Sequence, residues 1–118
     1  QFGYRPGGAV PVTLQWRVLQ PFGSSYRVFI HILTPDRSEA LAQQDVEPVN
    51  GMRPTTSWTP GEIVNDPHQV RLPENAPAGT YQIRVGLYDD QGRLPVIDPG
   101  QTEVIDDTIF VTNIEVQP

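Results

Sequence analysis

Few side chains in this sequence could do chemistry. His31 and His68 are the only histidines, four serines are present, and there is no cysteine. None of the serines stands in a Gly-x-Ser-x-Gly turn, and no glycine-rich phosphate- or dinucleotide-binding motif occurs. The lack of thiols excludes disulfides and zinc–thiolate sites. We therefore predict a non-catalytic chain with no cofactor and no metal, and keep a carboxylate pair for glycoside hydrolysis as a less favoured alternative.

One group of acidic residues could instead bind calcium. Asp89, Asp90 and Asp98 surround a turn, and Asp106 and Asp107 follow shortly after. Calcium needs several oxygen ligands that converge on one point. The run Asp-Asp-Gln-Gly is also what a β-hairpin turn requires, and the spacing lacks the alternating acids of an EF-hand loop. A hairpin turn is the favoured interpretation, and calcium stays an open alternative.

The charge balance limits the partners of the chain. Fourteen acidic residues face eight basic ones, all of them arginine, and the net charge is −6. Phosphate backbones and anionic lipids attract clustered cations, so we expect no nucleic-acid partner and no docking on anionic membranes. No apolar run is long enough to span a membrane, so we expect no direct membrane insertion. Residues 1–8 and 117–118 look like linkers, which predicts a single domain, 1–118, excised from a longer protein.

Alternating apolar and polar residues indicate the strands that must position these groups. The clearest alternating runs are 11–20, 26–33, 40–46, 68–72, 80–89 and 107–116. About seven short strands, joined by turns rich in proline and glycine, predict an all-β domain. The expected architecture is an antiparallel immunoglobulin-like or fibronectin-type β-sandwich with Greek-key connections. The apolar parity changes within the last run, which predicts a bulge near Thr112–Asn113 or a change of sheet.

A tyrosine just inside one strand supports this architecture. Tyr81 follows a Pro/Gly turn in "APAGTYQIRV", as does the tyrosine corner of immunoglobulin-like and fibronectin-type domains. The disulfide of antibody domains is missing, so we expect Trp16, Val28 and Val85 to fill its place. Replacing Trp16 or Tyr81 by alanine should each cost about 3 kcal/mol or more if both are core residues.

The outward face of the two central strands is the first candidate binding site. In an immunoglobulin-like sandwich 26–33 and 80–89 are antiparallel neighbours, so their outward residues form one patch. The patch contains Arg27, Phe29, His31 and Leu33 next to Gln82, Arg84, Gly86 and Tyr88. Aromatic rings and guanidinium groups suit a sugar or peptide ligand. An exposed apolar patch more often marks a protein interface, which is the favoured alternative. If this side is open, Phe29→Ser should cost little stability.

The segment 53–66 is the second candidate site. As a ligand site, Trp58 would be a stacking platform with Arg53 and Asp66 as polar contacts. As structure, Trp58 would cover one end of the core, with Glu62 or Asp66 pairing Arg53. Thr59-Pro60-Gly61-Glu62 fits a type II turn with proline second and glycine third. A lone tryptophan in a small domain is usually part of the core, so the structural interpretation is favoured.

Three stretches, "VFIHIL", "SWTPGE" and "PAGTYQIRVGLYD", carry a family resemblance that covers nearly the whole chain. The sequence resembles the soluble C-terminal β-sandwich module of bacterial multi-spanning membrane proteins similar to the dolichyl-phosphate-mannose protein mannosyltransferases of glycosyltransferase family 39. The resemblance implies an extracytoplasmic module tethered to a membrane enzyme. It also implies that the catalytic residues lie in the membrane part and not in this chain.

The predicted role is therefore that of a non-catalytic accessory domain of a membrane-bound glycosyltransferase, serving interaction or glycan recognition. Its partners would be a glycan or the membrane part of the parent protein. The alternative is a free-standing structural or adhesion module with no affinity for sugar, and a small carboxylate-based hydrolase is less favoured.

Overall fold

The chain folds into β-strands joined by turns and short 3-10 helical segments. The computed structural model describes residues 2–34, 36, 38–94, 104–105 and 108–117. The strands are β1 (Phe2–Tyr4), β2 (Ala9–Arg17), β3 (Arg27–Leu33), β4 (Ala40–Val46), β5 (Ile63–Arg71), β6 (Gly79–Asp89), β7 (Gly92–Arg93), β8 (Val104–Ile105) and β9 (Thr108–Val116). Short 3-10 segments cover Pro48–Gly51 and Thr55–Ser57. The predicted all-β class is confirmed. Within the described ranges, no helix has the length and apolar character needed to cross a membrane.

The strands form two sheets of unequal size. The larger sheet has the order β1-β9-β6-β3-β4, with β7 beside β6 and β8 beside β9. The smaller sheet contains β2 and β5. Among the described strands, every pair is antiparallel except β1 with β9, which is parallel. The predicted neighbours β3 and β6 are paired, with Phe29 opposite Gly86 and His31 opposite Arg84.

The inward residues of both sheets share one apolar core. Val10, Val12 and Val70 from the smaller sheet belong to the same buried cluster as Ile30 and Ile83 from the larger sheet. Burying one such side chain contributes about 1.5–3 kcal/mol. Alternation along each strand places these residues inward because successive side chains of a strand point to opposite faces.

The predicted tyrosine corner is present at the start of β6. The side chain of Tyr81 is 5% exposed, and its hydroxyl donates a 2.9 Å hydrogen bond to the carbonyl oxygen of Pro77. A buried phenol needs such a partner because an unsatisfied hydroxyl inside the protein is costly. This bond ties the turn before β6 to the core.

A bulge in β9 explains why the apolar residues of 107–116 change from one face of the strand to the other. Ile83 pairs with Thr112, but the next residue, Arg84, pairs with Phe110, so Val111 is the extra residue. Ile114 is buried, and Val111 is 39% exposed. The predicted bulge near Thr112–Asn113 is confirmed, one residue earlier in the chain.

Two elements differ from the sequence-based expectation. β5 begins at Ile63 instead of residue 68, because Asp66 and Pro67 obscure an alternation that is present in the backbone. Residues 2–4, within the segment predicted to be linker-like, form β1 along β9. Backbone pairing explains β1: its neighbour Gln117 also donates its N–H to the carbonyl of Tyr4 at 2.7 Å.

Candidate functional site

The outward residues of β3 and β6 lie together, as the sequence predicts. Arg27 pairs with Tyr88, and Leu33 pairs with Gln82, so the predicted set occupies one face of the larger sheet. The face is not the open apolar patch that we expected. Phe29 is 2% exposed and Arg84 is 1% exposed.

Phe29 is buried on the outward side because its neighbours cover it. The guanidinium carbon of Arg93 lies 4.6 Å from the ring centroid of Phe29. The rings of His31 and Tyr88 lie 4.9 and 6.0 Å away, centroid to centroid. The expectation of an exposed Phe29 is therefore wrong. The strand faces were assigned correctly, but β7 brings Arg93 over the ring.

The side chains of Arg84 and Gln82 contact each other, and Arg84 also packs near the neighbouring strand β9. The Nε of Arg84 donates to Oε1 of Gln82 at 3.2 Å. The guanidinium carbon of Arg84 lies 5.7 Å from the ring centroid of Phe110 on β9. Among the predicted face residues, these two are thus placed on the β9 side and do not line the hollows described next.

Two hollows meet at Asp45 on this face, and we call them together the outer groove. The first hollow, of about 350 Å³, is lined by Phe29, His31, Asp45, Tyr88, Gly92 and Arg93. The second, of about 530 Å³, is lined by Arg27, Asp45, Val46, Glu47, Asn50 and Gly51. Four of the predicted residues line the groove: Arg27, Phe29, His31 and Tyr88.

The sequence did not reveal the acidic and amide groups of the outer groove. Asp45 lies on β4 directly opposite Phe29; the alternation of 40–46 indicates its face of the sheet but not its position opposite Phe29. Asn50 and Gly51 belong to a short 3-10 segment, and Arg93 to the two-residue strand β7. Neither element has an alternating pattern that would predict its position.

The electrostatics of the groove favour a neutral imidazole. Burial lowers the pKa of His31, the positive charge of Arg93 lowers it further, and Asp45 acts in the opposite direction with a smaller effect. A neutral imidazole offers one donor and one acceptor. The groove thus combines guanidinium donors, carboxylate acceptors and a group that can do either.

Trp58, in the second candidate site, covers one end of the core. Its side chain is 4% exposed and packs with Val18 and Val64. The ring of Phe22 meets it edge-on at 5.5 Å, and its Nε1 donates to the carbonyl of Arg53 at 3.0 Å. The structural interpretation of Trp58 is favoured by this burial, because a stacking platform needs an exposed ring.

The turn after Trp58 has the predicted chemistry. Glu62 N–H donates to the carbonyl of Thr59 at 3.1 Å, and Gly61 has φ +89°. An Arg53–Glu62 ion pair with a 2.7 Å contact closes the segment. The hydrogen bond from Arg53 is the main cause that lowers the pKa of Glu62.

Asp66 does not join Arg53 and Trp58 in one site. It is fully buried, and its Oδ2 accepts a hydrogen bond from the indole Nε1 of Trp16 at 3.0 Å. The same oxygen lies 2.6 Å from Nε2 of His68, and Oδ1 accepts from the backbone N–H of Val49 at 2.7 Å. Sequence reasoning missed this network because "NDPH" resembles a turn.

These hydrogen bonds keep Asp66 ionised despite its position. Burial by itself raises the pKa of Asp66, but the hydrogen bonds from His68, Val49 and Trp16 outweigh that effect, so the pKa lies below its usual value. Hydrogen bonds to the charged form of a carboxylate favour that form.

The acidic turn after β6 has the hydrogen bonds of a hairpin. Oδ1 of Asp89 accepts from the N–H of Gln91 at 2.9 Å, and Oδ2 accepts from the hydroxyl of Ser24 at 3.0 Å. Asp98, Asp106 and Asp107 lie outside the described residues. In the described part of the chain, no group of three or more potential metal ligands occurs. The calcium alternative is not tested by this geometry.

Comparisons with protein-family models, with curated proteins and with solved structures found no match to this chain. The family resemblance therefore remains an expectation.

Proposed function

We propose that this domain is a non-catalytic recognition module that binds saccharides in the outer groove. The observation that carries the proposal is the convergence of charged and aromatic groups around Asp45. Guanidinium groups of Arg27 and Arg93, carboxylates of Asp45 and Glu47, and the ring of Tyr88 border one groove.

The composition of the groove suits hydroxyl groups. A sugar hydroxyl both donates and accepts hydrogen bonds, so it can bridge a carboxylate acceptor and a guanidinium donor. Asp45 and Arg93 line the same hollow, which provides such a pair. The half-buried rings of Tyr88 and His31 offer apolar surface for the C–H faces of a sugar ring.

The burial of Phe29 argues against an apolar protein-docking face. The protein interface that the sequence favours on this face requires exposed apolar side chains on β3. Phe29 instead lies beneath Arg93, so the surface that a partner meets is polar. Small ligands bind in concave sites where a few well-placed polar groups stand beside aromatic rings, and the outer groove has both.

We further propose that the domain is an immunoglobulin-like β-sandwich and an extracytoplasmic accessory domain of a membrane-bound glycosyltransferase. The tyrosine corner and the pairing of β3 with β6 support the fold assignment. The stretches that carry the resemblance lie on β3, on the Thr59–Glu62 turn and on β6. Sequencing of the full-length gene tests the assignment: several membrane spans before Gln1 are expected, and a gene without them would contradict it.

Binding is tested by screening the purified domain on a glycan array and measuring the affinity for hits by calorimetry. Asp45→Asn and Arg93→Gln should each weaken binding about tenfold or more, because each removes a charged hydrogen-bonding partner. Arg17→Gln, an exposed arginine on the smaller sheet, is the matched control and should bind as wild type. If none of the glycans binds, the proposal is wrong and a structural or adhesion role replaces it.

A further inference from the structure

A buried pair of ionisable side chains joins the two sheets at the side of β5. Residues of β5 alternate between exposed and buried, with Asp66 and His68 on the buried side. Both side chains are almost fully buried, and Oδ2 of Asp66 lies 2.6 Å from Nε2 of His68. On the other side of the imidazole, Nδ1 lies 2.8 Å from Oε1 of Gln44 on β4.

The hydrogen bonds of Gln44 determine whether Nδ1 of His68 carries a proton. The carbonyl oxygen of Gln69 can only accept, and it lies 2.7 Å from Nε2 of Gln44. The amide of Gln44 must therefore direct its nitrogen to Gln69 and its oxygen to His68. Since that oxygen is also only an acceptor, Nδ1 of His68 must carry a proton.

A second proton must lie between His68 and Asp66. Trp16 and the N–H of Val49 are donors only, and both donate to the carboxylate. An unprotonated Nε2 that faces an unprotonated carboxylate oxygen at 2.6 Å would place two acceptors in contact. The donors of Trp16 and Val49 favour the charged form of the carboxylate, which places the shared proton on the imidazole side.

The carboxylate also holds a strained turn. Val49 and Asn50 have φ of 54° and 52°, and Gly51 has φ of 83°. This left-handed region is unfavourable for a β-branched residue such as Val49 and persists only where the surroundings enforce it. The 2.7 Å bond from Val49 N–H to Asp66 and the packing of Val49 against the Trp58 cluster are those surroundings.

The same turn forms a wall of the outer groove. Asn50 and Gly51 line its second hollow beside Arg27 and Glu47. The shape of that hollow thus depends on residues whose backbone is held from the other side by Asp66. Strain of this kind occurs often where a protein holds a ligand.

We propose that Asp66 and His68 form a proton-bound latch that holds the Val49–Gly51 turn in the shape that walls the outer groove. Asp66 is a positioning residue and touches no ligand. Its role in recognition rests on the proposed function of the groove, whereas the latch itself does not. Among the described residues, the groups that hydrogen-bond the pair are the indole of Trp16 from β2, the amide of Gln44 from β4 and the N–H of Val49, and all three are uncharged.

The first test uses the wild-type protein and requires no ligand. Nitrogen-15 spectra of the histidine ring at neutral pH should show both ring nitrogens of His68 protonated. One protonated and one unprotonated nitrogen would overturn the latch. His31, whose pKa is lowered by burial and by Arg93, provides the internal reference for a neutral ring.

The second test removes the latch. Asp66→Asn keeps one acceptor oxygen where the carboxylate has two, so the side chain can no longer accept from both Val49 on one side and Trp16 and His68 on the other. Hydrogen exchange at Val49, Asn50 and Gly51 should therefore accelerate about tenfold or more, as the loss of one charge-assisted bond implies. Ile83 in the core reports whether the variant remains folded. Unchanged exchange at the turn in a folded variant would overturn the latch.

Ligand measurements separate the two proposals. Weaker glycan binding by Asp66→Asn, with a mobile turn, supports both. A mobile turn in a protein that binds no glycan in either form leaves the latch supported and contradicts only the function proposed for the groove. Unchanged affinity despite a mobile turn overturns the claim that the latch shapes the groove.

Discussion

Phe29 lies on the outward side of β3 and yet exposes only 2% of its surface. Single residues thus decide what the outer face can be. The guanidinium of Arg93 stacked over the ring turns an expected apolar patch into a polar groove. Residue types along β3 predict which way Phe29 points. They do not predict its cover, because Arg93 reaches it from a strand of only two residues.

Phe29→Ser tests this burial. We now expect a loss of about 3 kcal/mol in unfolding free energy, in the range for removing a buried aromatic ring, because the ring is enclosed by Arg93, His31 and Tyr88. Urea denaturation measures the change. Val111→Ser, at an exposed bulge position, is the control and should cost under about 1 kcal/mol. A small loss of stability for Phe29→Ser would mean that the ring of Phe29 is exposed on an open face, and would contradict its burial.

Tyr81→Phe tests the tyrosine corner separately from the packing of its ring. Removing the hydroxyl leaves the carbonyl of Pro77 without its 2.9 Å donor, and about 1 kcal/mol of stability should be lost. Tyr81→Ala should cost about 3 kcal/mol or more, because the buried ring is lost as well. Equal losses for both variants in denaturation experiments would mean that the ring contributes nothing.

At the scale of elements, alternation predicts long strands well and short or polar ones badly. β4 has the predicted bounds, 40–46, and β3 and β6 differ from prediction by one residue at their starts. β5 was half missed because Asp66 occupies an inward position that apolar residues usually fill and Pro67 interrupts the strand pattern. β1 and β7 have only three and two residues, which is too short for an alternating side-chain pattern to be detected.

The Thr59–Glu62 turn allows a test of local chemistry with a matched control. Gly61→Ala should cost about 1 kcal/mol, because φ of +89° is unfavourable for a residue with a Cβ. An added Cβ meets no atom within 4 Å at either Gly61 or Gly23, and Gly23 has no positive φ in the left-handed range. Gly23→Ala should therefore be close to neutral. Equal thermal shifts for the two variants would contradict the role of the turn.

At the scale of the whole molecule, the all-β class and the β3–β6 neighbourhood were predictable from the sequence, but the outer groove was not. The groove combines β3 and β6 with residues from β4, from the Pro48–Gly51 segment and from β7. Only the register between strands places Asp45 beside Phe29. A single sequence carries no direct signal of such register, which explains why seven of the eleven residues that line the groove were missed.

Acid should destabilise the whole molecule. The pKa values of Glu62 and Asp66 are lowered, and that of Asp36 is lowered to about 2 by hydrogen bonds from Thr34 and Ser38. A carboxyl whose pKa is lowered by folding stabilises the fold above its unfolded pKa, and this stability is lost as pH falls through the folded pKa. The urea concentration at the unfolding midpoint should therefore decrease as the pH is lowered from about 4 to about 2.

Asp66→Asn measures how much of this pH dependence of stability comes from Asp66. Its unfolding free energy at pH 7 should be lower than that of wild type, and the difference should shrink in acid, since wild type then loses its own carboxylate. A midpoint that is independent of pH in wild type, or a difference that grows in acid, would contradict the ionised Asp66.

Saccharide binding in the outer groove is measured most directly by a chemical-shift titration of the nitrogen-15-labelled domain with a glycan selected on the array. We expect saturable shifts at the backbone amides of the outer groove, at His31, Asp45, Tyr88 and Arg93, and none at Arg17 on the smaller sheet. Shifts confined to residues outside the groove, or no shifts at millimolar sugar, would contradict it.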